Sequence, residues 1–145
     1  MDGKCQMTEL ASPDYFRYWG KASPEQADSS AYHLLPFHCL DVAACGQALL
    51  RLPQFSLASL ASDLGWPQQD VEKLFLFFLA LHDLGKFARA FQNLVPNLSP
   101  DLVPADEGKR YEQRHDTLGW VLWEQDIAEG FALEGLPDPQ SDFWA

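Results

Sequence analysis

The clearest signal in this chain is a series of apolar positions at helical spacing, interrupted by proline and glycine. Across residues 38–52 the apolar side chains of Leu40, Val42, Ala43, Cys45, Leu49 and Leu50 form one broad face, which predicts a helix ended by Pro53. A shorter helical pattern covers residues 55–64 and closes at Gly65. Trp66-Pro67 opens a third helix. Proline is tolerated in a first turn, where an N–H would have no partner, and Asp70 and Glu72 lie near the positive end of the helix dipole. Val71, Leu74, Phe75, Phe78, Leu79 and Leu81 follow. From Leu74 onward this helix is apolar nearly all round, so it is expected to be the central buried one. Gly85 is expected to stop it by taking the left-handed conformation.

The flanking pattern is weaker. Residues 1–31 are polar, with Ser12-Pro13 and Ser23-Pro24 turns around the aromatic stretch from Tyr15 to Trp19, and predict a short helix or an irregular lead-in. Residues 87–94 predict a short helix. Pro96, Pro100, Pro104 and Gly108 mark residues 96–108 as a loop. Residues 113–131 return to helical spacing, with Leu118, Val121, Leu122 and Ile127 inside. Residues 135–145 are rich in Pro and Asp and end in Phe143-Trp144-Ala145. No segment alternates with the period of a strand and no unit repeats, so the expected fold class is all-α.

Composition narrows this picture. A chain of 145 residues that is 47% hydrophobic and 21% charged holds one ordinary core, so a single globular domain is expected. The net charge of -11 argues against unaided gripping of a phosphate backbone, which draws its affinity from Lys and Arg. It argues less against a nucleic-acid enzyme, because bound divalent ions invert the local field and a basic partner can hold the strand. Cys5, Cys39 and Cys45 form an odd set without CxxC spacing, which suits a reducing compartment. With no apolar signal core at the N-terminus and no apolar run longer than residues 74–81, no membrane segment is expected, and a cytoplasmic location is.

The chemistry must lie near the four histidines, His33, His38, His82 and His115. His38 opens the first long helix, and His115, followed by Asp116, opens the late one. His82-Asp83 closes the most apolar helix of the chain, with Lys86 one turn on. Adjacent residues of a regular helix diverge by about 100°, but in a relaxed last turn both can face one centre. An imidazole beside a carboxylate offers nitrogen and oxygen donors that suit Mn, Fe, Co, Ni or Zn better than Ca. A bridging carboxylate can also hold two ions about 3.5–4 Å apart to activate water and neutralise a leaving phosphate. The bland alternative is that each histidine is a hydrogen-bonded structural residue, as most at helix ends are. Against it, His, Asp and Lys together at the end of a core helix are costly without partners.

The string LALHDLGK (residues 79–86) resembles the signature of the HD phosphohydrolase superfamily, and HCLDVAACGQALL (residues 38–50) resembles the helix that carries its first His ligand. With Trp19-Gly20-Lys21, HDLGKFARAFQ (residues 82–92) and Arg114-His115, the chain is similar to the HD domain of the type I CRISPR-associated helicase–nuclease, from about Tyr18 onward. The resemblance implies an HD helical bundle, with residues 1–17 as a lead-in and residues 18–145 as the N-terminal portion of a nuclease domain. It implies a hydrolase that cleaves single-stranded DNA during CRISPR interference, in antiviral defence, with one or two divalent transition-metal ions (Mn, Fe, Co or Ni). His38, His82 and Asp83 would be ligands of one ion. Asp83 would bridge to a second ion, also held by His115. Lys86 would steady the scissile phosphate or the carboxylate. Single-stranded DNA, a helicase domain in cis or trans and the guide-RNA surveillance complex are the implied partners. His33 maps to no ligand position and reads as a loop or surface residue.

In that family an adjacent His-His pair and a later Asp complete the site. This sequence stops at Ala145 before such a pair, so a domain incomplete at its C-terminus, of impaired activity, is expected. Two alternatives stay open: a nucleotide phosphohydrolase of the same superfamily, and a catalytically inert HD-like helical binding module.

Overall fold

A computed structural model describes residues 13–23 and 32–127. The expectations for residues 1–12 and 128–145, including the C-terminal part of the late helix, lie outside the described residues. The described chain is predominantly helical, as the apolar spacing predicts. A 3-10 turn at Asp14–Arg17 fills the place of the expected lead-in. Five helices follow: α1 (Leu35–Leu50), α2 (Ala58–Leu64), α3 (Gln68–Leu81), α4 (Arg89–Gln92) and α5 (His115–Leu122). A π-helical turn, Trp123–Ile127, continues α5.

The sequence pattern missed a two-stranded antiparallel hairpin, β1 (Trp19–Ala22) with β2 (Tyr32–Leu34), in which Trp19 pairs with Leu34 and Lys21 with His33. Strands of four and three residues are too short to show a period of two. Their pairing is held by packing instead. Trp19 is buried against Phe91 and Leu102, with Tyr32, Leu34 and Tyr111 around them. The irregularity in the pairing falls at Gly20. A Cβ there would lie 2.9 Å from His38 Cβ and 3.0 Å from Leu35 Cα, so glycine is what lets β1 lie directly on the first turn of α1.

α1 begins three residues earlier than the spacing alone predicts. Leu34 is extended, Pro36 occupies the first turn, and the Leu35 N–H donates to the Tyr18 carbonyl at 2.8 Å. Pro53 falls just beyond its end and starts a 3-10 turn, Pro53–Phe55. Gly65 caps α2 at φ 65° with open space around its Cβ position, so conformation and not room demands glycine. Pro67 then leads into α3.

α3 departs from expectation in two ways. It packs on α1, closest at Gly46, where a Cβ would run into the Leu79 side chain. Yet Val71 is its one fully buried residue, while Phe75 and Phe78 are 39% and 41% exposed. The helix is central in sequence but covered mainly on the face that meets α1, with Phe78 edge-on to Trp123. Gly85 also has no left-handed role: the helix ends at Leu81, and Gly65 is the positive-φ glycine among the described residues. Gly85 lies buried in a 3-10 turn, Leu84–Phe87, pressed against the start of α5. A Cβ there would collide with the His115 carbonyl oxygen and lie 2.6 Å from the Gly119 nitrogen.

Candidate metal centre

The site forms where α3 runs out. His82 keeps helical angles, φ -54° and ψ -29°, whereas Asp83 has left them at φ -108° and ψ 21°. That break removes the divergence a regular helix would impose on neighbours. His82 Nε2 then stands 3.0 Å from Asp83 Oδ2. From the first turn of α1, His38 Nε2 reaches the same oxygen at 2.9 Å. Lys86, one turn past Asp83, places Nζ 2.6 Å from it. The other oxygen, Oδ1, faces His115 Nε2 at 3.4 Å from the start of α5. Asp83 is 4% exposed, so four residues from three helices and one turn converge on a buried carboxylate.

His82, Lys86 and His115 are each held from behind. His82 Nδ1 donates to the Leu79 carbonyl at 2.7 Å. Lys86 Nζ donates to the Gly20 carbonyl at 2.9 Å and lies 5.4 Å above the centre of the Phe91 ring. Tyr111 Oη accepts the His115 backbone N–H at 2.8 Å and meets His115 Nδ1 at 3.0 Å. Gln92, 5% exposed, ties the whole to the hairpin. Its Oε1 accepts the Trp19 N–H at 3.1 Å, and its Nε2 donates to the Trp19 and Lys86 carbonyls at 3.0 and 2.8 Å.

Electrostatics favour neutral imidazole at His38. Burial and the Lys86 ammonium push its pKa below the ordinary 6.5, outweighing the Asp83 carboxylate that pulls it up. Burial, with the charge of Asp83 adding to it, raises the Cys39 thiol, so this neighbour of the site stays a protonated thiol.

The donor set fits a divalent ion. His38, His82 and Asp83 each offer an atom within 4.8 Å of the others. Because a carbonyl oxygen only accepts, the contact with Leu79 places a proton on His82 Nδ1 and leaves Nε2 facing the carboxylate oxygen. Separations of 2.9 and 3.0 Å match neighbouring ligands of an ion with bonds of about 2.1 Å. The mixture of imidazole and carboxylate suits a first-row transition ion better than calcium.

Three of the four residues expected to bind metal, His38, His82 and His115, therefore surround the carboxyl group of the fourth, Asp83, together with Lys86. His33 stands apart. Its ring lies edge-on to His38 at 6.2 Å, but it reaches Asp41, at 3.6 Å, and not Asp83. Asp116, beside His115, turns outward to Arg114 at 3.1 Å. The hydrogen bonds to that guanidinium hold its carboxyl below the usual range. Gln92, Tyr111 and Gly20 were not legible as parts of the site. Two side-chain amides, Gln92 and Asn93, inside the otherwise apolar AFQNLV stretch were the available hint for Gln92.

A predominantly helical domain in which His38, His82-Asp83 and His115 meet at one buried carboxylate has the residue arrangement of an HD domain, a family that implies metal binding. The family model described as "Cas3, HD domain" matches residues 19–143, and the chain belongs to that family. Over 80 residues it is 40% identical to the CRISPR-associated endonuclease/helicase Cas3 of Escherichia coli (strain K12), a stretch that covers 52% of this chain and 8% of that protein. No solved structure matches the chain significantly. Among the described residues, no helix is long and apolar enough to cross a membrane.

Proposed function

We propose that this chain is a metal-dependent nuclease domain that hydrolyses single-stranded DNA in CRISPR interference. The observation that carries the reading is the crowding of three imidazoles and an ammonium around Asp83. Membership of the Cas3 HD family and the word endonuclease in the name of the Escherichia coli relative support a nuclease reading. His38, His82 and Asp83 would hold one ion, and Asp83 with His115 would contribute to holding a second. A bound Mn, Fe, Co or Ni ion supplies Lewis acidity, making water a nucleophile near neutral pH and offsetting charge on the phosphate oxygens.

The chain's own residues orient and balance that chemistry. Asp83 bridges. His38, its pKa lowered first by burial, is a neutral imidazole whose Nε2 stands 2.9 Å from Asp83 Oδ2, where it would be a ligand. Lys86 serves as the carboxylate's counter-ion more than as a phosphate clamp, since its ammonium is already shared between Asp83 and the Gly20 carbonyl. With a net charge of -11 the chain does not hold the strand alone. That task falls to a helicase domain, in cis or in trans, and to the guide-RNA surveillance complex that exposes the strand.

The test is incubation of the purified chain with Mn, Co or Ni and, in parallel, single-stranded DNA, duplex DNA and mononucleotides, beside Asp83→Ala. Metal-dependent loss of single-stranded DNA, absent in the variant, is expected. Hydrolysis of mononucleotides alone would make it a nucleotide phosphohydrolase. Metal uptake with no hydrolysis of any substrate would leave an inert helical module.

A further inference from the structure

The chain builds a second concave feature on another side of the first turn of α1. The 3-10 turn Asp14–Arg17, the start of α1 and the loop at residues 100–101 enclose an open cleft of about 670 Å³, lined by Phe16, Arg17, Leu34, Phe37, Pro100 and Asp101. The loop is fastened there by the Val103 N–H, which donates to the Arg17 carbonyl at 2.8 Å. Tyr15, Phe16 and Phe37 are linked by ring contacts at 4.6 and 5.5 Å between centroids, and Tyr15 and Phe37 stay half-exposed. Two opposite charges line the same cleft without meeting. Among the described residues no ion pair joins Arg17 to Asp101, and Arg17 has only a loose contact, 3.9 Å, with the exposed Asp14.

We propose that this cleft receives one nucleotide of a DNA single strand, its base against Phe16 and Phe37, its phosphate at Arg17 and its amino edge at Asp101. The proposal rests on the reading above of single-stranded DNA as substrate. Aromatic rings stack any base. A guanidinium matches the paired oxygens of a phosphate. A carboxylate only accepts, so it suits the exocyclic amine of cytosine, adenine or guanine. Thymine flanks its one imide N–H with two carbonyl oxygens, which a carboxylate repels. Amino-bearing bases are therefore preferred. The place of the cleft in the fold agrees with this use. Phe37 and His38 are neighbours in α1, and adjacent helical residues diverge by about 100°. His38 turns to Asp83 and Phe37 to the cleft, which thus opens one residue away from a candidate metal ligand. One arginine in a chain of net charge -11 makes a weak hold, in keeping with a strand delivered by a partner.

The experiment is nuclear magnetic resonance of the whole ¹⁵N-labelled chain, titrated in chelator at pH 7.5 with hexadeoxycytidylate and with hexathymidylate. Signals of Phe16, Arg17, Phe37 and Asp101 are expected to shift, with the cytidylate bound about 10-fold more tightly. Phe37→Ala is expected to weaken the cytidylate about 10-fold, the loss of one stacked base. In Asp101→Asn, whose amide can also donate to a thymine carbonyl, the two affinities should come within about 2-fold of each other. If Asp101 were only a repelling charge, its removal would raise both affinities together and keep their ratio, and the assignment would be overturned. Equal wild-type affinities, or shifts confined to other residues, would overturn it as well, while the DNase assay above still decides the nuclease reading. Free deoxycytidine monophosphate binding as tightly as the hexamer would overturn the strand as the source of the nucleotide. No binding of any of the three would overturn the proposal and leave the cleft to a protein segment. Cleft binding by the cytidylate in a chain that hydrolyses nothing with metal would uphold the cleft and overturn the nuclease reading. The wild-type ratio decides even if a variant folds poorly.

Discussion

The two oxygens of Asp83 are served by different architectures. On the Oδ2 side, His82 and Lys86 come from the same short segment as the aspartate, and only His38 arrives from elsewhere. Each is anchored by an acceptor or helix turn close behind it. On the Oδ1 side, His115 is delivered by α5, more than thirty residues downstream across a proline-rich loop, and stands farther off at 3.4 Å. What places it is a backbone-to-backbone approach at Gly85, a tyrosine hydroxyl and packing of its ring on Phe91. The Oδ2 half of the site is therefore written into local chain geometry, and the Oδ1 half depends on a docking surface. Disturbances of packing and disturbances of charge should strike the two halves differently.

Gly85→Ala should separate them most sharply. The new methyl group would occupy the space of the His115 carbonyl oxygen, and backbone, unlike a side-chain tip, cannot turn aside. Forced overpacking of this kind costs about 3 kcal/mol or more, read as a lower midpoint in urea unfolding. The second ion should be lost with the displaced α5, while the first still binds at His38, His82 and Asp83. Wild-type stability in the variant would show that α5 is not held at Gly85.

Gln92→Leu attacks the opposite half. The amide is buried and satisfies the Trp19 N–H, the Trp19 carbonyl and the Lys86 carbonyl, none of which leucine can replace. Stranding such groups costs about 2–3 kcal/mol, somewhat less than the overpacked glycine. Thermal unfolding checks this. Affinity for the first ion should fall as β1 loosens from Lys86. If Gln92→Leu weakened only the second ion, the division of the site into a local and a docked half would be wrong.

The same division explains what could be read from the sequence. The helices declare themselves through a repeating apolar face, and the loop at residues 96–108 through its prolines. His82-Asp83 stood out because ionisable groups at the end of an apolar helix need partners. His38 and His115 were marked by helix starts and by family resemblance. The hairpin stayed hidden because its strands are shorter than the period needed to see them, and what fixes it is contact of Trp19 with Phe91. Gly85 was assigned the commonest use of a helix-terminal glycine, but its lack of a Cβ serves close approach to α5. A chain pattern cannot distinguish those two uses, since each demands the same residue for a different reason. The exposed Phe75 and Phe78 carry the same lesson. An all-round apolar pattern says that a helix can be covered, not which of its faces the described elements cover.

The smallest expected effect is on charge, and it falls on the half that packing leaves secure. His38 has its pKa lowered in the folded chain, by burial first and by Lys86 second, from an ordinary value of 6.5. As pH falls through that value the unfolded chain takes up a proton that the folded chain resists, so the unfolded state gains and stability declines. The decline continues until pH passes the lowered folded value and then levels off. Stability from this residue is thus fully present above about pH 6.5 and is lost on acidification, the reverse of a histidine stabilised as a cation. Urea unfolding in chelator at pH 7.5, 6.5 and 5.5 should show the decline, with a shallower slope in His38→Gln. With metal present the slope should steepen, because protons then compete with the ion for the same nitrogen. A slope that His38→Gln leaves untouched would place the acid sensitivity elsewhere, and would leave His38 as no more than one wall of the Oδ2 half.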